Sequence, residues 1–222
     1  MFGMRVLAGA AVLVAAAALP VAAQLIARPP NGTYTYKIVH RGKQLATSQI
    51  EWSADANAIM MTETANIGTT RYFTQTTFDP ASMHERSYKG GTAEGGQANA
   101  VIDDDTVTLT FEGDARSFRL LKDTASIMID DALVGFSAAL PAVARADTAN
   151  GVTALVTALP EAVKATISPL ARSVPAGVPP GDAGINVILL NVSANLWFDK
   201  TTLVLDRLED TTRGITFERV IP

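Results

Sequence analysis

His40 and His84 are the only two imidazoles in the chain, and there is no cysteine. Metal and nucleophile chemistry must therefore come from very few groups. Without Cys there is no thiolate nucleophile, no Cys-ligated zinc or iron–sulfur centre and no disulfide. Neither histidine belongs to an H-x-x-x-H or H-E-x-x-H pair, so both read as ordinary exposed side chains and no metal is expected. Asp79, Ser82 and His84 have the residue types of a hydrolytic triad, but they fall within Asp-Pro-Ala-Ser-Met-His, where turn formers gather for conformational reasons. No G-x-S-x-G elbow accompanies them. Asp103-Asp104-Asp105 lacks the glycine and distal glutamate of a calcium loop and reads as a solvated hairpin turn. Asp130 and Asp131 read as helix-capping charges rather than a catalytic pair. Gly90 to Gly96, with four glycines, matches neither G-x-G-x-x-G nor a P-loop, and predicts a flexible hairpin tip. No catalytic residue and no cofactor is assigned, and an enzyme is not expected.

The composition narrows the class further. The 222 residues carry a net charge of −4, against a nucleic-acid partner, which would call for a concentrated basic face. The mean hydropathy of +0.19 owes much to the first residues. Met1 to Arg5 is a short positive start, Val6 to Leu19 is apolar and uncharged, Pro20 breaks the run, and Val21-Ala22-Ala23 supplies small residues before a cut ahead of Gln24. This is the layout of a signal peptide over residues 1–23, and the apolar run is short for a membrane span. Residues 24–222 are then expected to form one β-rich domain, periplasmic or secreted from a bacterium, with no membrane span after cleavage.

Alternating apolar residues with turn formers between them predict strands along most of that domain. Thr33 to His40 and Gln44 to Trp52 should form a hairpin around Arg41-Gly42-Lys43. Strands are expected at Ala58 to Ala65, Thr70 to Phe78, Met83 to Lys89, Thr106 to Glu112, Arg116 to Leu121, Gly151 to Ala158, Ala162 to Ile167, Thr202 to Leu208 and Ile215 to Val220. Ile185 to Phe198 reads as one long strand with Ile188, Leu190, Val192, Ala194, Leu196 and Phe198 on one face. One helix is expected from about Ala132 to Ala139, limited by Pro141. Ser168 to Gly184, rich in Pro and Gly, is expected to be a long loop. No internal repeat is evident. The fold class is mainly β: a strongly curved antiparallel sheet or incomplete β-barrel with one short helix, parallel α/β folds being excluded for want of crossover helices.

The opening hairpin from Tyr34 to Ser48 and the segment Leu196 to Glu209, where a Trp-containing strand turns and returns toward an Arg, carry a resemblance. Together they resemble a family of exported bacterial proteins of unknown function whose sheet is similar to that of the periplasmic lipoprotein-carrier proteins. The resemblance implies a curved antiparallel sheet wrapped around a helix, and in the carriers the cavity accepts acyl chains. Strand alternation, the signal and the absence of catalytic constellations lead to the expectation of a non-enzymatic binding protein whose concave apolar face takes a lipid or other hydrophobic ligand. The candidate ligand-binding residues are Tyr34, Tyr36, Ile38 and Trp52 from the first strands, Val107, Leu109 and Phe111 from the middle, and Leu196, Trp197 and Phe198 near the end. The alternative is a cell-envelope structural or assembly partner that engages another protein through a sheet edge or the 168–184 loop.

Overall fold

The computed structural model describes residues 27–221 except 94, 122–123, 130–133, 147–151, 157–158, 160 and 172. The expected signal peptide and the expected caps Asp130 and Asp131 lie outside the described residues. The chain forms one mainly β unit. Eight strands come first: β1 (Gly32–His40), β2 (Lys43–Ala54), β3 (Ile59–Ile67), β4 (Thr70–Phe78), β5 (Glu85–Thr92), β6 (Gly95–Asp103), β7 (Thr106–Phe111) and β8 (Asp114–Arg119). They run as a meander in which each strand pairs with the next, antiparallel throughout. Then follow β9 (Ala125–Ile129), α1 (Gly135–Ala146), β10 (Val152–Val156), β11 (Val163–Pro169), β12 (Ala183–Leu189), β13 (Val192–Phe198), β14 (Leu205–Asp210) and β15 (Ile215–Arg219).

All fifteen strands belong to a single sheet that is not closed, in the order β8-β7-β6-β5-β4-β3-β2-β1-β15-β14-β13-β12-β11-β10-β9. Its middle is the antiparallel pairing of β1 with β15, where Tyr36 faces Arg219 and Ile38 faces Phe217. The sheet curves around α1, which packs against β3, β9 and β14. Ala138, Ala139, Leu140, Ala142 and Val143 of the helix join Tyr36, Trp52, Phe78, Leu196 and Leu205 in the main core. The Trp52 and Phe78 rings stack there with centroids 6.0 Å apart. A second core forms where Met128 of β9 and Leu155 of β10 pack over Tyr88, Val107 and Leu109 of the meander.

β9 and β10 are parallel neighbours linked through α1, so one βαβ unit is built into the otherwise antiparallel sheet. The helix begins at Gly135 and runs through Pro141 to Ala146. An interior proline removes one helical hydrogen bond and crowds the turn before it. Here every residue from Ser137 to Val143 is buried, and packing on all sides outweighs that local preference. Ile185 to Phe198 is a hairpin rather than one strand, because Leu190 adopts φ +54° and Leu189 pairs with Val192. The inward face of β12 is therefore Ile185, Val187 and Leu189, while Ile188 and Leu190 are exposed. The 168–184 loop is shorter than expected, since Ser168 and Pro169 pair with Asn186 and Ile185 at the end of β11. Gly90 and Gly91 lie inside β5, not at a tip. The Tyr88 ring covers Gly90, where an added Cβ would fall 2.1 Å from the phenol oxygen, so the absence of a side chain is what lets the ring lie flat on the strand.

Candidate ligand-binding cleft

Two corners of the sheet share one design that only the structure makes visible as a repeat. Phe78-Asp79-Pro80-Ala81-Ser82-Met83 joins β4 to β5, and Phe198-Asp199-Lys200-Thr201-Thr202-Leu203 joins β13 to β14. In each, the Asp carboxylate accepts amide hydrogens two and three residues on: Ala81 and Ser82 at 2.8 and 2.9 Å, Thr201 and Thr202 at 2.8 and 2.6 Å. The Met83 and Leu203 amides donate back to the Asp79 and Asp199 carbonyls, both at 2.9 Å. Both residues hold φ +56°, both are buried, and each corner is followed by a register shift beside its Phe. The strained left-handed conformation is held because a buried apolar side chain and two sets of hydrogen bonds fix it together.

The first corner opens onto a cleft of about 830 Å³ between the meander and the start of β9. Its walls include Asp79, Ser82, His84, Glu85 and Arg86 from the corner, Ile102, Asp104 and Asp105 from the β6–β7 hairpin, Arg119 at the end of β8 with Leu120 and Leu121 beyond it, Thr124 before β9 and Ser126 within it. Arg86 is ion-paired with Asp79, and Arg119 Nε lies 3.9 Å from Asp105 in an exposed pair. Glu85 is different. It is 2% exposed, and neither carboxylate oxygen has a hydrogen-bond partner. Burial drives its acidity well away from that of an ordinary glutamate, pushing the pKa far up; the nearby Met128 amide favours the ionised form, but its geometry falls short of a hydrogen bond.

Two further carboxyl sites are structural. Glu63 of β3, fully buried, accepts the Val134 amide at 3.1 Å and the Gly135 amide at 2.5 Å, and the Ser48 hydroxyl also bonds to it. It caps the start of α1, where free amides and the helix dipole favour a negative group. At the second corner, Asp182 of the 170–182 segment faces Asp206 of β14, and Arg219 Nε stands 2.6 Å from Asp206 Oδ1. Burial, together with Asp206 beside it, pushes the Asp182 carboxyl up to about 7.

The residues singled out from sequence are dispersed. Tyr36, Ile38, Trp52, Leu196 and Phe198 lie in the main core around α1, and Tyr34 packs against it, partly buried. Val107 and Leu109 lie in the second core, whereas Phe111 is 49% exposed. Trp197 is buried on the opposite face of β13 from Leu196 and Phe198, where Leu170 and Gly184 approach it. Of the triad-like trio, the Ser82 hydroxyl donates to Asp79 at 3.1 Å and accepts the His84 backbone amide at 3.3 Å, which makes it part of the turn. His84 is exposed at the cleft and His40 is half-buried at the end of β1. Sequence reasoning missed Glu63, Glu85, Asp182 and Asp206. The signal for Glu63 was available: it follows Ile59 and Met61 in the inward parity of β3. Glu85 offered none, because the register shift between Thr77 and Phe78, opposite Ser87 and Glu85, breaks the alternation that would have placed it. No protein-family model matches the chain, and no curated protein matches it.

Proposed function

We propose that this is an exported, non-catalytic binding protein that takes up an amphipathic small molecule in the cleft beside the Asp79 corner. The observation that carries this reading is a cleft of about 830 Å³ with apolar Ile102, Leu120 and Leu121 beside a buried polar group, a size and mixture suited to a small ligand. It relocates the hydrophobic ligand expected from sequence, since α1 and its neighbours occupy the concave face of the sheet. A binding role is favoured over hydrolysis because the Ser82 hydroxyl is turned toward Asp79 and not toward an imidazole. Partner binding through the β8 edge is less favoured, because Arg116 and Arg119 place charge along that strand, a feature that opposes strand addition. Among the described residues no helix is long and apolar enough to cross a membrane.

The test is titration with the fluorescent probe N-phenyl-1-naphthylamine, alongside native mass spectrometry of protein from its own host. Saturable probe binding that Ile102→Trp abolishes, by filling the cleft, is the expected result. Probe binding unchanged by Ile102→Trp, with no ligand mass on the native protein, would overturn the reading. Sequencing the N-terminus of the same sample is expected to start at Gln24.

A further inference from the structure

The two Phe-Asp corners differ at one buried position. The residue paired with the corner phenylalanine is Leu205 in the second corner and Glu85 in the first. Leu205 is 1% exposed and belongs to the main core. The same corner, in the same protein, is therefore built with a leucine, and its geometry does not require a carboxyl. An unpartnered buried carboxyl is unfavourable beside a buried leucine. Its presence at the wall of a cleft points to a partner that arrives from outside the chain.

We infer that Glu85 is the recognition group of the cleft and that its ligand is an amine, an alkyl or aryl ammonium ion with its apolar part against Ile102, Leu120 and Leu121. This rests on the reading of the cleft as a binding site. The charges around it select the sign. Among the described residues the lining holds four carboxyls, Asp79, Glu85, Asp104 and Asp105, against the guanidiniums of Arg86 and Arg119. Both guanidiniums already face carboxylates, Asp79 and Asp105. An anionic head would find Arg86 engaged by Asp79 and only the exposed, loosely paired Arg119 to meet it, whereas an ammonium finds two carboxyls, Glu85 and Asp104, without a cationic partner among the described residues.

Burial without a hydrogen-bond partner favours the protonated form of Glu85; an ammonium that arrives charged favours the ionised form, and the proton Glu85 then gives up passes to solvent. Across the cleft Thr124 and Ser126 are neutral, the Met128 amide favours the ionised carboxyl, and the flanking His84 and Arg86 add no negative charge. Uptake of an ammonium ion therefore strengthens as pH rises and releases up to one proton.

Isothermal titration with decylamine and with decanoate, in two buffers of different ionisation heat between pH 6 and 8, tests this. Decylamine is expected to bind about tenfold or more tightly than decanoate, with proton release, and Glu85→Leu to lose about that factor while melting no lower than wild type. Equal or tighter decanoate binding, or wild-type decylamine affinity in Glu85→Leu, overturns the amine assignment and leaves the cleft as a binding site. If neither amphiphile binds and the naphthylamine probe ignores Ile102→Trp, the cleft reading falls and this inference with it.

Discussion

Glu63 shows how one side chain connects distant parts of the chain. Its carboxylate comes from β3 and supplies the N-terminal cap of a helix seventy-odd residues later in sequence. Replacing Glu63 with Ala leaves the Val134 and Gly135 amides buried without an acceptor, and is expected to lower stability by about 2 kcal/mol. Urea denaturation followed by circular dichroism reads this as a lower midpoint at unchanged slope. Gly135→Ala should destabilise by the same route, since the new Cβ would sit 2.7 Å from Glu63 Oε2 and 3.1 Å from the Met61 methyl. Asp182 gives a prediction in pH. Its carboxyl keeps a proton up to about pH 7 in the folded protein, against 3.8 ordinarily, so the folded state binds more protons across that window. Stability then falls as pH rises from about 4 toward 7. Glu85 acts with the same sign. Melting temperatures measured from pH 5 to 8 should therefore decline in wild type and decline less in Asp182→Asn; an equal slope in both would refute the assignment. Charged residues of this kind are hard to find from sequence because their roles depend on which strand lies opposite, and no local spacing records that.

At the scale of elements, legibility followed from how local each determinant is. The β1–β2 hairpin could be read because Arg41-Gly42 supplies a recognisable turn, both residues adopting positive φ between alternating strands. The β12–β13 hairpin could not, because its turn is Leu190-Asn191, and an apolar residue at the left-handed position looks like a continuing strand. Leu190 is 60% exposed and packs nothing essential, so the substitution that suits its backbone should be beneficial. Leu190→Gly is expected to raise stability by up to about 1 kcal/mol, relieving the Cβ–carbonyl crowding of that region. A lower melting temperature in this variant would argue against the hairpin itself. The helix was misplaced by the same logic in reverse. Pro141 is a strong local stop, and only the burial of the surrounding small residues, Ala138, Ala139 and Ala142, explains why the helix continues past it. The cleft was illegible for a third reason: its walls come from three separate connections, at Asp79, Asp104 and Leu120, and proximity among them is a product of the sheet's curvature.

For the whole molecule, the dominant fact is that a single open sheet uses β9 and β10 to cover its own opposite end. Alternation along the chain was enough to anticipate a curved, mainly antiparallel sheet with one helix, because period-two burial is a local property that each strand displays. It was not enough to anticipate the parallel β9–β10 pair, whose five-residue strands are buried at every position but the half-buried Val156 and so show no alternation. The pairing of β1 with β15 has a further consequence for how the molecule is made. The central seam of the sheet joins strands from opposite ends of the described chain, so the two lobes can each begin to form while they remain unconnected. Ordering of the seam must wait for β15, and closing so large a loop is slow. A chain lacking residues 211–222 should therefore persist as two partly ordered halves, and a synthetic peptide of that sequence should restore a cooperative unfolding transition when added in trans. The seam makes β15 the strand that turns two half-sheets into one.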